Sequence, residues 1–290
     1  MPQDDQPLPD FDKLWDHAQP AETERKFSEI LPIAEASGDA SYLAQLLTQI
    51  ARTQGLQGKF NDAHATLDRV EKILTPEVKL AKVRYCLELG RVFNSSGDRV
   101  RAMAQFAKAA ALAQIDKFNR FAIDAIHMVA IAETDPAKQV EYNLIGIKMV
   151  EADPAQRGWL WSLYNNIAES YALLKDYQSS LNYVQKLLDF QKERGEPDPY
   201  TLKDEARFNR LLGCPEKSLE IIQPLVEKNP EDGWFQEELA EALLMLGQSD
   251  EAKPHFEKAY EALSKDPWCI QHESAKLDRL RRMAQLDDGK

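Results

Sequence analysis

The sequence predicts an all-α fold, an α-α superhelix (solenoid) of about six helical hairpins with capping helices at both ends, and three observations carry that prediction. The first is a small residue followed 12 positions later by a second small or apolar one. It occurs six times: Ala51 and Ala63, Gly90 and Ala102, Met128 and Val140, Ala168 and Ser180, Ala206 and Ser218, Ala240 and Ala252. Successive pairs start 39, 38, 40, 38 and 34 residues apart, a spacing typical of stacked supersecondary units. The second is a turn signal inside each pair, GKFND, SGDRV, TDPAK, LKDYQ, GCPEK and GQSDE, where Gly, Pro and Asp interrupt a helix. The third is helical apolar spacing on either side of the turn. Cys86, Leu89, Gly90 and Phe93 fall at i, i+3, i+4 and i+7, and Ala102, Phe106 and Ala109 at i, i+4 and i+7. Such a hairpin cannot bury both sides of its apolar surface alone, so neighbours must stack on it.

In chain order, residues 1–9 are rich in proline and acids, the composition of a mobile tail. Within 10–40, residues 11–15 read as a short helix and 21–36 as a longer one with Phe27, Ile30, Leu31 and Ala34 on one face; both are expected to cap the array. The array, 41–267, pairs 42–54 with 61–74, 80–95 with 100–114, 120–132 with 136–151, 158–174 with 177–194, 199–212 with 215–227, and 232–246 with 249–263. The register of the third hairpin stays open, because Ala130 can replace Met128 as the small contact residue. In 268–290, residues 269–286 read as one capping helix, with Ile270, Leu277, Leu280 and Met283 as its apolar residues and Arg279, Arg281 and Arg282 among its charges.

The second and last units resemble tetratricopeptide repeats, through Cys86-x2-Leu89-Gly90-x2-Phe93 with Ala102-x3-Phe106-x2-Ala109, and through Leu239-Ala240-x2-Leu243 with Ala252-x3-Phe256-x2-Ala259. The resemblance covers roughly residues 44–267. Most spacings exceed the family's usual period, which implies longer second helices or connections, and Asn209 stands where the family often has an aromatic. The resemblance implies first helices lining a concave groove, second helices on the convex back, and a protein or peptide as partner. On that mapping the groove carries Arg52, then Arg84, Glu88 and Arg91, then Asn165, Asn166 and Glu169, then Lys203, Arg207 and Arg210, and Asp124 and His127 are counted with them. It reads as more basic than the molecule, which points to an acidic segment as ligand. The competing reading is salt bridging to Glu88, Glu169 and Asp204. Asn166, Lys203 and Arg207 have the residue types of the clamp with which some family members hold a C-terminal carboxylate, but not its arrangement over three consecutive units.

Composition excludes several other functions. The 290-residue chain carries a formal net charge of -12, so phosphate backbones repel it and no nucleic-acid partner is expected. No apolar stretch is long enough for a membrane span, the acidic N-terminus is unlike a signal peptide, and Cys86, Cys214 and Cys269 are odd in number and far apart. A cytoplasmic protein is expected, with no membrane partner and with a monomer slightly favoured. His17, His64, His127, His255 and His272 include no close ligand pair, and the sequence lacks CxxC, phosphate-loop, GxGxxG and GxSxG motifs, so no metal, cofactor or catalytic residue is expected. Asp124 lies one turn before His127, a pairing that reads more readily as structural than as chemical. Trp159, Trp161, Tyr164 and Tyr171 read as interlocking core before peptide platform. The expectation is a noncatalytic interaction module, the alternative an enzyme or small-molecule sensor built on Asp124, His127, Asn166 and Arg207.

Overall fold

A computed structural model describes residues 7–195 and 197–285. Most of the expected tail, residues 1–6, and residues 286–290 therefore lie outside the described residues. Every regular element among those described is helical. The chain divides into two compact units, Met1–Trp159 and Leu160–Lys290.

The first unit opens with a 3₁₀ turn, Phe11–Leu14, and continues as α1 (Pro20–Ala36), α2 (Ala40–Leu56), α3 (Phe60–Ile73), α4 (Lys79–Ser95), α5 (Arg99–Ile115), α6 (Asn119–Ala132), α7 (Pro136–Ala152) and a second 3₁₀ stretch, Pro154–Trp159. Within it α2 pairs with α3, α4 with α5 and α6 with α7, while α2 and α4, the first helices of consecutive hairpins, pack side by side. The small-residue pairs mark the crossings. Ala51, Ala63 and Ala102 are fully buried, and a Cβ added at Gly90 would lie 2.5 Å from Cε1 of Phe106. At that distance only glycine lets the Phe106 ring lie against the α4 backbone. Of the two candidates in the third hairpin, Ala130 is buried whereas Met128 is half-buried.

The turns follow from the residues that signalled them. At the end of α4 Gly97 adopts φ +91°, the N–H of Asp98 donates to the Phe93 carbonyl at 2.8 Å, and the Asp98 carboxylate accepts from the Arg101 N–H at 3.0 Å. One tripeptide thus closes α4 with a left-handed residue and caps α5.

The second unit contains α8 (Leu160–Leu173), α9 (Tyr177–Lys192), α10 (Pro199–Leu211), α11 (Pro215–Lys228), α12 (Gly233–Met245), α13 (Ser249–Leu263), α14 (Pro267–His272) and α15 (Ser274–Met283). Its hairpins are α8 with α9, α10 with α11 and α12 with α13, and α15 packs on α13. Ser180 Oγ donates to the Ala168 carbonyl at 2.9 Å, so this predicted pair touches through a hydrogen bond rather than by small size alone. Asn209 is buried and donates from Nδ2 to the Glu205 carbonyl at 2.8 Å, which satisfies the amide that replaces an aromatic there.

Two boundaries depart from expectation. Residues 158–159 belong to the 3₁₀ stretch, and the α-helix starts at Leu160. The single C-terminal cap is two helices, because Asp266 caps a new helix at Pro267 through the N–H groups of Trp268 and Cys269, and Glu273 leaves helical geometry at φ -123°, ψ 33°. The break rotates the apolar face: Cys269 and Leu280 are buried, whereas Ile270 is 55% exposed.

Candidate functional site

In each unit, side chains from the first helices of successive hairpins converge on an open cavity. In the first unit it measures about 360 Å³. Gln49 and Arg52 reach it from α2, Arg84, Glu88 and Arg91 from α4, and Arg120, Phe121 and Asp124 from α6. These residues recur at i+3, i+4 or i+7 because one stripe of each helix faces the cavity. Asp12, Trp15 and His17 close one edge and Trp159 another.

A charged network is built into this wall. Arg91 donates to Glu88 Oε1 at 2.7 Å and to Asp124 Oδ1 at 2.5 Å. Burial alone would push its pKa down, but Asp124 and Glu88 outweigh that and raise it. Arg52 lies 3.5 Å from the same Glu88 oxygen and stacks over the Trp15 ring at 5.4 Å; its own pKa is lowered, by burial above all, with Glu88 opposing and Arg91 adding to the effect. Arg84 holds both oxygens of Asp12, one at 2.9 Å. Three buried atoms nevertheless have no hydrogen-bond partner: Arg52 Nε, Arg84 Nε and Glu88 Oε2. All three are buried within the wall itself and not exposed to the cavity.

The second unit's cavity measures about 450 Å³. Arg210 forms a two-pronged pair with Glu238, Nε to Oε1 at 2.7 Å and Nη2 to Oε2 at 2.9 Å, and Ser218 donates to the same carboxylate at 3.2 Å. Arg207 donates to Glu169 at 3.1 Å, and Lys203 pairs with Asp204 at 2.7 Å. From α15, Lys276 reaches Glu237 at 3.1 Å and sits 4.4 Å above the Trp234 ring.

The expected groove residues therefore fall into two groups. Arg52, Arg84, Arg91 and Asp124 line the first cavity, and Glu169, Lys203, Arg207 and Arg210 the second. His127 is half-buried beside the first cavity, its ring 5.5 Å from that of Trp159. Asn165 is exposed and Asn166 half-buried, and neither lines the second cavity. The excess of positive charge expected from the sequence is largely neutralised, since Arg84, Arg91, Lys203, Arg207 and Arg210 each meet a carboxylate. The aromatic helix is not uniformly core: Trp159 walls a cavity, Trp161 is 40% exposed, and Tyr171 stacks on Tyr183. Sequence reasoning missed Asp12, Trp15, Glu238 and Lys276. The terminal segments read as caps, and no local spacing ties a carboxylate to an arginine 72 residues away.

No protein-family model matches the chain, and no curated protein matches it in sequence. Solved structures do resemble it. A signal-transduction ATPase with a tetratricopeptide repeat sensor from Pyrococcus horikoshii superposes at TM-score 0.70 with 16% identity over 94% of this chain, which spans only 44% of that protein. The apo quorum sensor NprR from B. thuringiensis gives TM-score 0.67 and 14% identity over 97% of this chain and 81% of its own; NprR has also been solved with its cognate peptide NprX. A tetratricopeptide repeat protein from Parabacteroides merdae gives TM-score 0.54 and 12% identity over 95% of this chain and 98% of its own. The fold is thus an all-α, tetratricopeptide-like array of helical hairpins.

Proposed function

We propose that the chain is a noncatalytic interaction module that binds a protein segment along the first-helix faces of its hairpins. The observation that carries this reading is the convergence of charged and aromatic side chains from three successive first helices, α2, α4 and α6, on one open cavity. An extended peptide offers carbonyl acceptors and N–H donors in alternation to such a polar wall. The aromatic edges, Trp15, Phe121 and Trp159, add apolar contact for side chains. Likeness to NprR, which is known with a bound peptide, supports the same reading. The thiols of Cys86, Cys214 and Cys269 are free, in keeping with a cytoplasmic setting, and no helix among the described residues is long and apolar enough to cross a membrane.

A photocrosslinking side chain at Gln49, on the cavity, and another at exposed Lys108, on α5, test the proposal in the native host. The expected result is a partner captured from Gln49 and lost when Arg84→Ala is added. Capture from Lys108 alone overturns the groove assignment. A metabolite site is the competing reading, favoured by a cavity volume inside the ~300–1,000 Å³ range of small-ligand pockets; a thermal shift with a metabolite library and no crosslink at Gln49 would establish it.

A further inference from the structure

We propose that residues 11–15 occupy one edge of the first unit's groove as a tethered stand-in for the partner, and that the site selects an acidic peptide segment with an aromatic side chain beside its carboxylate. This rests on the peptide-binding reading above and adds the ligand's chemistry and a competitor built into the chain.

The segment is held the way a bound peptide would be. Its backbone is anchored where Tyr42 Oη donates to the Pro9 carbonyl at 2.7 Å. An aromatic side chain is anchored where Trp15 Nε1 donates to Gln49 Oε1 at 3.0 Å. Its carboxylate, Asp12, takes both arms of Arg84. All three receiving residues stand on α2 and α4, the first helices that line the cavity. Arg84 is itself clasped between rings, Phe11 at 5.5 Å from the segment and Phe121 at 5.1 Å from α6. A carboxylate approaching Arg84 therefore arrives best with an aromatic neighbour that can take the place of Phe11.

Asp12 is the more accessible half of the pair, but Phe11 on the same turn is buried against Phe27 and Tyr42, so an incoming segment must fill that place with an aromatic side chain of its own. The Arg84 side chain is 7% exposed and the Asp12 side chain 40%. Arg84 is fixed in the packed wall, while Asp12 sits on a four-residue turn whose N-cap makes no side-chain bond. Removing Asp12 without replacement would strand a buried guanidinium, which is strongly unfavourable. Exchange of one carboxylate for another avoids that cost, so an acidic segment competes with residues 11–15 instead of adding to them.

The nonapeptide PDFDKLWDH, residues 9–17 of the chain itself, is the probe. Labelled with fluorescein, it is titrated by anisotropy with the full chain and with the Asp12→Asn chain. In the wild type the tethered copy competes at an effective concentration in the millimolar range, so weak binding is expected. Asp12→Asn should bind the peptide at least about tenfold more tightly, and that gain should vanish with a peptide whose matching aspartate is asparagine, or when Arg84→Met is added. Equal binding by the two chains, or by the two peptides, overturns the proposal. Should Asp12→Asn fail to fold by circular dichroism, Trp15→Phe, which removes the indole bond to Gln49 and shrinks the ring beneath Arg52, serves in its place, with a several-fold gain expected and no gain overturning it. A silent peptide together with partner capture from Gln49 removes the stand-in and leaves the peptide-binding reading; loss of both removes both.

Discussion

In the unit that ends at Trp159 four arginines face three carboxylates across the cavity, and the charge supplied from outside the hairpins is an acid, Asp12. In the unit that begins at Leu160 five glutamates face four cations, and the charges supplied from outside the hairpins are Glu273 and Lys276. The N-terminal element brings the sign its cavity lacks, and the C-terminal one brings both signs. A cap on a repeat array is usually understood as a polar cover for an exposed apolar face. Phe11 and Leu280 do bury apolar surface here, but Asp12 and Lys276 show the caps also complete an electrostatic network. The two cavities share an architecture and should differ in ligand preference, the first favouring anionic segments and the second tolerating cationic ones.

The largest effect should come from the charged walls. Arg91→Met removes the only guanidinium that bridges Glu88 and Asp124 among the described residues, and the Glu88 side chain is 3% exposed. Breaking such a pair from one side costs about 3–5 kcal/mol. Arg210→Met should cost a similar amount by stranding Glu238, whose side chain is 6% exposed. Urea denaturation of the full chain measures both. A loss below about 1 kcal/mol for either would mean its network is no more than surface pairing.

Next come the close crossings. Gly90→Leu pushes a side chain into the Phe106 ring, where even a Cβ would lie at 2.5 Å, and Gly233→Ala meets Leu263 Cγ at 2.8 Å and Ala262 Cβ at 2.9 Å. Overpacking of this kind costs about 1–3 kcal/mol. Gly55 is the control, since its added Cβ meets only Val92 Cγ2 at 3.5 Å, an ordinary contact. Gly55→Ala should stabilise α2 by about 0.5–1 kcal/mol. Equal destabilisation at all three sites would show that helix crossing is not what distinguishes them.

A smaller effect is expected at the second cap. Lys276→Met removes the ammonium that pairs with Glu237 and lies over the Trp234 ring; the lysine side chain is 29% exposed, so the loss should stay near or below about 1 kcal/mol. A loss as large as that of Arg91→Met would mean that α15 is held mainly by this one ion pair.

The fold was legible because its signals are local. The 12-residue spacing survives whether the crossing uses Gly90, the Ala51 and Ala63 pair, or Ser180 bonded to the Ala168 carbonyl, and aspartates such as Asp98, Asp176 and Asp232 mark helix starts by capping them. The stripes that carry Arg84 with Arg91 and Arg207 with Arg210 were legible for the same reason. Three of their partners were legible too, Glu88 for Arg91, Glu169 for Arg207 and Asp204 for Lys203, but the distant ones were not. Glu238 lies 28 residues from Arg210 and Asp12 lies 72 from Arg84, and helical periodicity on one element carries no information about the partner element. The break at Glu273 escaped because the apolar spacing from Ile270 onward runs through it, while the cap at Asp266 had already set an earlier start.

The smallest expected effect separates the two units by the sign of their response to pH. Burial lowers the His127 pKa below 6.5, with Asp124 opposing and Arg91 adding to the shift. Between that lowered value and 6.5 the unfolded chain holds more protons than the folded one, so His127 adds stability as pH rises and loses it as pH falls below 6.5. Burial raises the Glu237 pKa above 4.5, against Lys276 and together with Glu241 and Glu238. Here the folded chain holds more protons between 4.5 and the raised value, so the contribution is complete below 4.5 and disappears as pH rises through the folded pKa. Neither slope can exceed about 1.4 kcal/mol per pH unit. Urea midpoints of the full chain measured from pH 4.5 to 7.5 should therefore become less dependent on pH near 6 with His127→Gln, and should lose an opposing acid-side gain with Glu237→Gln. Two variants that shift the profile in the same direction would contradict the assignment of one carboxyl pKa raised and one imidazole pKa lowered by burial.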